Sequence, residues 1–201
     1  MDYEHIINHY YPEESSSRSL PTEATDKKSL RDILLIHSTL VARRAVGICD
    51  AHPELDMNRR FVWEAAMLHD IGIIGCSAPG IMCFGTKPYI CHGRVGAEML
   101  RDYAATHGIS AEAMDPYARV CERHTGAGLT RDDIERQNLP LPHRDFLPET
   151  LEEKVICYAD KFYSKTHPER EKTLEQAERS LAKFGQEGLK RFMEWHRIFE
   201  D

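Results

Sequence analysis

His69 and Asp70 stand side by side at the end of an apolar stretch, in Leu68-His69-Asp70-Ile71-Gly72. Imidazole and carboxylate are both good ligands for divalent metals. Adjacent helical residues project about 100° apart, so both side chains reach one ion more easily from a last, loosening turn than from mid-helix. Four more groups of the same kind recur along the chain: His37, His92, His124 and Asp160. Each has an ordinary explanation when taken alone. His37 could be a hydrogen-bonded core histidine, His92 a solvent-facing residue before a helix, and His124 a histidine meeting a helix dipole. Asp160 could be a core-edge carboxylate paired with a cation. Six such groups at helix ends or inside apolar stripes of one small chain point to a shared cause. Four imidazoles and two carboxylates can hold two first-row ions if one carboxylate bridges. Two ions roughly 3.5–4 Å apart clamp a phosphate ester and generate hydroxide near neutral pH.

The elements that must position these residues read as helices. Trp63, Ala66 and Met67 recur at helical spacing before His69, and Gly72 and Gly75 read as the glycines that release a chain past a helix end. Ser29 is the N-cap of a helix running to about Asp50, with Ile33, Leu34, His37, Val41, Ala45 and Ile48 on one face. Asn58 caps the helix that carries His69 and Asp70. Cys91-His92-Gly93 opens a helix to about Thr106. Ser110 caps another, with Met114, Tyr117, Ala118 and Cys121 inward, which finishes at His124. A helix from about Leu151 carries Val155, Ile156, Ala159 and Phe162 beside Asp160. Two long connections interrupt the pattern. Gly72 to Cys91 is too apolar for disorder and reads as a packed loop over a site, and Gly126 to Thr150 is irregular. No strand pattern is strong, so the class is all-α.

The ends read differently. Residues 1–11 form a short helix with Ile6, Ile7, Tyr10 and Tyr11 as its apolar patch, and Pro12 to Asp26 reads as an exposed linker. From Pro168 a charged helical region runs to the C-terminus with Leu174, Ala177, Leu181, Phe184, Leu189, Phe192 and Trp195 as its stripe. The domain division is thus 1–26 as N-terminal segment and linker, 27–166 as the metal domain, and 167–201 as helices packed on it. Phe192 and Trp195 suit a homodimer face as readily as a core.

With 201 residues and 41% hydrophobic content, the chain is long enough for one sizeable core. A formal net charge of −7 with no long basic run argues against unspecific nucleic-acid or anionic-membrane binding. A small anionic substrate stays open, because a metal inverts the local charge. The start lacks a signal-peptide pattern, and no apolar run approaches the length of a membrane span. Six cysteines, at 49, 76, 83, 91, 121 and 157, form no C-x-x-C pair. They suit reduced thiols in a cytoplasm better than disulfides or structural zinc.

The order H…HD…H…H…D resembles the HD-domain superfamily of metal-dependent phosphohydrolases in its HDIG form, over roughly residues 27 to 166. His124-Thr125-Gly126 and Ala159-Asp160-Lys161 look similar to bacterial HD-domain hydrolases that split diadenosine tetraphosphate symmetrically. The resemblance implies a bundle of five or more helices around a dinuclear centre. His37, His69, Asp70 and Asp160 would bind one metal, and Asp70, as a bridge, would bind the second with His92 and His124. The ions would be divalent: Fe, Mn, Mg, Zn or Co. The implied activity is hydrolysis of a small phosphorylated molecule, a nucleotide, by a metal-activated water oriented through Asp70.

Many HDIG enzymes place a phosphate-contacting lysine after the glycine, where this chain has Ile73. It also lacks the GYP-type motif of the cyclic-dinucleotide phosphodiesterases. Other cations could meet a phosphate: Lys87, Arg94, Arg123, Lys161 or Lys165. Lys161 and Arg123 adjoin implied ligands and take that role here. Two other readings share the ligand order: a mixed-valent di-iron oxygenase and a non-catalytic sensing module. His5 and His9 form an i, i+4 pair without an evident third ligand. His143-Arg144-Asp145 is similar to a kinase catalytic loop, but no glycine-rich loop or DFG accompanies it.

Overall fold

Asp2 caps α1 (Tyr3–Tyr10), its side chain accepting the His5 N–H, and the helix buries Ile6 and Ile7. The computed structural model describes residues 1–13, 29–167, 170–183 and 185–200. Most of the predicted linker, Pro168 and Phe184 lie outside the described residues. The α1 segment docks on the core: the Tyr11 hydroxyl donates to Ile71 O at 2.7 Å and accepts from Ile74 N at 3.1 Å. It thereby ties the first residue past the His-Asp pair to the N-terminus.

The longest helix, α2 (Leu30–Ala51), starts at Ser29 with a reciprocal capping box to Asp32. Asn58 caps α3 (Arg59–Leu68) through Phe61 N–H, and His69 and Asp70 follow its last turn. The chain then turns through Ile71–Gly75 in a 3-10 helix. Beyond come α4 (His92–Thr106), α5 (Ala111–Arg123) capped by Ser110, and α7 (Leu151–Asp160) capped by Thr150. Between the last two lies α6 (Arg131–Arg136), capped by a Thr130–Asp133 box. After residue 170 the chain forms α8 (Leu174–Ala182) and α9 (Gln186–Phe199).

The fold is helical around its core, in which α2 packs on α3 and α7, and α4 on α5 and the Ile71–Gly75 turn. The segment 72–91 departs from the sequence reading. It contains a small sheet of β1 (Cys76–Ala78), β2 (Cys83–Phe84) and β3 (Lys87–Pro88), in the order β2-β1-β3. The β1–β2 pair is antiparallel and β1–β3 parallel. Strands of two or three residues are too short to show a period of two. The short α6 likewise escaped the reading of Gly126 to Thr150 as irregular.

Phe192 and Trp195, left open between dimer face and core, are buried within the chain. Phe192 stacks on Tyr158 of α7 with ring centroids 5.0 Å apart. All six cysteines are free and buried. No described helix is long and apolar enough to cross a membrane.

Two glycines set how closely α4 approaches the site. A Cβ on Gly72 would stand 2.2 Å from both Gly96 N and His92 O. A Cβ on Gly93 would stand 2.4 Å from Cys121 O of α5. Gly72 is not in the left-handed conformation that the helix-end reading implied. Its requirement is space, because the α4 backbone occupies the place of a side chain.

Candidate metal centre

Four helix ends and the interior of α2 converge on one buried point. His37 comes from mid-α2, His69 and Asp70 from the end of α3, and His92 from the start of α4. His124 follows α5, and Asp160 closes α7. Five of the six expose 5% or less of their surface and Asp160 8%. Burying so many polar groups is costly unless each finds a partner.

Asp70 is at the centre. Its Oδ2 lies 3.1 Å from His37 Nε2 and 3.0 Å from His69 Nε2. Its Oδ1 lies 3.4 Å from both His92 Nε2 and His124 Nε2. Asp160 Oδ1 completes the first side, 3.0 Å from His37 Nε2 and 3.6 Å from His69 Nε2. Candidate ligand atoms of His37, His69, Asp70 and Asp160 lie within 4.8 Å of one another, and so do those of Asp70, His92 and His124. Asp70 is common to both groups, with one oxygen toward each.

The imidazole tautomers are fixed from behind. His69, His92 and His124 each donate Nδ1–H to the carbonyl three residues earlier: Ala66 at 2.6 Å, Tyr89 at 2.7 Å and Cys121 at 2.7 Å. That leaves the Nε2 atoms facing inward, as metal-binding histidines are held. His92 Nε2 and His124 Nε2 stand 3.0 Å apart, a repulsive arrangement for two lone pairs unless a cation lies between. His69 Nε2 and both Asp70 oxygens have no well-directed hydrogen bond. The residues present therefore fit a pair of divalent ions.

The electrostatics divide the histidines. Burial depresses His92 to about 3, with Asp70 only partly opposing. Burial also lowers His124. Burial works the same way on His69, but Asp70 and Asp160 outweigh it and bring this imidazole up to about 9. Burial would raise the carboxyl of Asp70, yet His69 and Lys165, with His124 and His37 close by, hold it well below the ordinary range. Lys161 and the same His37–His69 pair do this for Asp160. Both carboxylates are ionised at neutral pH.

The cations do not fall where the sequence reading put them all. Lys161 is at the site: its Nζ reaches Asp160 Oδ2 at 2.5 Å and donates to His124 O at 3.0 Å. Arg123 is held elsewhere, 2.9 Å from Glu149 and 3.0 Å from Glu153. It is not among the described residues lining the cleft beside the centre. Sequence adjacency to His124 misled here, because consecutive residues at a helix end point in different directions. The central cation is Lys165, with Nζ 2.6 Å from Asp70 Oδ2. Burial would lower its ammonium, but Asp70, Tyr89 and Asp160 hold it above its ordinary value. Burial also raises the phenol of Tyr89, which stacks on His92 with centroids 4.7 Å apart. Tyr89 carried no sequence signal beyond its place three residues before His92.

The set-aside motifs have structural partners. His5 Nδ1 meets the Tyr103 hydroxyl at 2.5 Å, and His9 packs on the same ring. In His143-Arg144-Asp145, Asp145 accepts the Arg131 N–H and Arg144 lies over the Phe146 ring. Beside the centre opens a cleft of about 580 Å³ lined by Ile81, Tyr89, Asp160, Lys161, Lys165 and neighbours.

Comparison with known proteins gives relatives and a family. The chain is 32% identical over 165 residues to a tRNA (cytidine(56)-2'-O)-methyltransferase of Picrophilus torridus, covering 82% of the chain and 40% of the relative. It is 30% identical over 138 residues to the protein of that name from Thermoplasma volcanium, 69% of the chain and 34% of the relative. An uncharacterized protein of Methanocaldococcus jannaschii is 44% identical over 69 residues, 34% of the chain and 35% of the relative. The chain thus spans about two fifths or less of the length of these curated relatives. No solved structure matches it. The family described as HD domain matches residues 34–164, a span that includes all six candidate ligands, and the chain belongs to that family.

Proposed function

We propose that the protein is a metal-dependent phosphohydrolase acting on a small phosphorylated substrate, a nucleotide. The observation that carries the reading is the division of Asp70, one carboxylate oxygen toward His37 and His69 and the other toward His92 and His124. Two divalent ions held by these residues would acidify a water and neutralise charge on phosphoryl oxygens.

The chain supplies the rest. Asp70 and Asp160 bring negative charge to a dry site, and the backbone carbonyls behind three imidazoles keep their Nε2 atoms aimed at it. Lys161, fixed by Asp160 and His124 O, braces one carboxylate. Lys165 and Tyr89 stay protonated and border the cleft, so both can donate to a phosphoryl oxygen beside Asp70. The 72–91 segment contributes Ala78, Gly80, Ile81 and Tyr89 to the wall. Hydrolysis breaks the phosphorus–oxygen bond to the leaving group and forms one to the water oxygen, and the proton lost by the water ends on the leaving group. The cleft volume lies within the range of small-ligand sites.

Methyl transfer to tRNA is what two relatives are named for, and each is matched over a minor part of its length. The reading therefore rests on the ligand cluster and the HD family. The test is phosphate release from a panel of nucleotides and p-nitrophenyl esters by protein loaded in turn with each candidate metal. Oxygen uptake measured beside it separates hydrolysis from di-iron oxygenase chemistry. Turnover with phosphate release is expected. Metal-loaded protein that turns over no phosphate ester would overturn the reading.

A further inference from the structure

The cleft beside the metal centre does not end there. It shares Ser164, Lys172 and Ser180 with a second, outer cleft of about 440 Å³. The outer cleft is lined by His167, Arg170, Glu171, Gln176, Arg179 and Lys183 besides the shared residues. The two together form one trough leading from Asp160 out across α8.

The charge along this trough opposes that of the chain. The whole sequence carries −7, yet among the described residues Lys161, Lys165, Arg170, Lys172, Arg179 and Lys183 line the trough against Asp160 and Glu171 alone. Both acids are already engaged, Asp160 by Lys161 and Glu171 by Arg44. Lys165 is spoken for by Asp70. Among the described residues, Arg170, Lys172, Arg179 and Lys183 have no ion pair. Helix α8 is built to this pattern. Gln176, Arg179, Ser180 and Lys183 follow at i, i+3, i+4 and i+7 and face the trough. Glu175 and Glu178 of the same helix line neither cleft. Lys172 is half-buried where the clefts join, its ammonium donating to Lys161 O at 3.3 Å. The four unpaired cations lie beyond the 34–164 span that the family matches.

A single phosphate at the metal centre would leave four unpaired cations unused. We propose that the trough binds a run of linked phosphates, the one to be cleaved at the metal centre and the outer ones on Arg170, Lys172, Arg179 and Lys183. This deepens the phosphohydrolase reading and rests on it for the inner end of the trough. Free polyphosphate and nucleoside polyphosphates share the required chemistry.

The test is calorimetric binding to manganese-loaded protein, with manganese in excess throughout. The probes are inorganic phosphate, tripolyphosphate, ATP and a single-stranded RNA pentamer ending in a 3'-phosphate. Each is measured on wild type and on the triple variant Arg170→Ser, Arg179→Ser, Lys183→Ser. Tripolyphosphate should bind wild type at least about tenfold more tightly than phosphate, and the variant should lose that advantage, since each charge-assisted contact counts. Phosphate binding should not change. ATP matching or exceeding tripolyphosphate marks a nucleoside polyphosphate as the source; ATP falling between tripolyphosphate and phosphate marks the free chain. Equal affinity for phosphate and tripolyphosphate, or a variant that keeps the preference, overturns the proposal. RNA binding more tightly than tripolyphosphate overturns it in favour of a nucleic-acid end. Failure here with intact metal binding and ester turnover leaves the phosphohydrolase reading standing. Polyphosphate preference without any turnover strikes that reading alone.

Discussion

His92 and His124 come from different helices and bring their Nε2 atoms to within 3.0 Å of each other, beside Asp70 Oδ1. Each has its Nδ1–H bound to a backbone carbonyl, so neither can turn to relieve the contact. In the proposed dinuclear centre the pair would hold one ion together with Asp70 Oδ1, and His37, His69 and Asp160 would hold the other with Asp70 Oδ2. His124→Ala should therefore lower metal content from two equivalents to one and cut ester turnover about 10²-fold or more. Elemental analysis and a rate assay on one preparation decide it. Full retention of two equivalents would remove His124 from the ligand set.

Gly72 answers for the position of His92. Because a Cβ there would meet the α4 backbone at 2.2 Å, Gly72→Ala must push α4 away. Overpacking of this kind costs roughly 1–3 kcal/mol, read as a melting temperature lower by several degrees. Metal should be lost selectively from the His92–His124 side. An alanine variant with unchanged melting and metal content would show that the close approach is not required.

Lys165 and Arg123 part company under substitution. Lys165→Gln should leave both metals in place and lower kcat/KM about 10²-fold, as loss of a charged donor beside the reacting phosphoryl does. Arg123→Gln should leave turnover within a few-fold, but deprive the buried Glu153 carboxylate of its cation, leaving it the Glu149 N–H, at about 1–3 kcal/mol. The reverse pattern would restore Arg123 as the phosphate contact.

Much of this was legible before any coordinates. Ser29, Asn58 and Ser110 mark helix starts because a capping side chain is a local property of the sequence. The six metal-type residues stand out because each is polar where its neighbours are apolar. What was not legible needs three dimensions or too few residues to make a pattern. The strands at 76–88 are two or three residues long. Gly72 is spaced by a helix twenty residues further on, not by a turn of its own. Lys165 reaches Asp70 across almost a hundred residues of sequence, whereas Arg123 sits next to a ligand and points away. The capping box Thr130–Asp133 was readable, and the prolines around it obscured α6.

That same box gives a pH-dependent effect. Burial would raise the Asp133 carboxyl, but the Thr130 hydroxyl and N–H, with Arg136 and Arg191, hold it below its ordinary value. A carboxylate depressed in the folded state contributes stability above its unfolded pKa, about 3.9, and that contribution is lost as pH falls through the folded value. Asp133→Asn should therefore lower the urea midpoint at about pH 6 and have progressively less effect toward about pH 3. A midpoint deficit that does not shrink on acidification would mean the charge is not what stabilises α6.

The central claim is that Asp70 holds two ions at once, and metal analysis of wild type beside Asp70→Ala tests it most directly. Protein prepared without chelator, or reconstituted, should contain two divalent ions per chain, and the alanine variant should lose both together with phosphate release. Wild type that takes up no metal, or an alanine variant that keeps its turnover, would contradict the account.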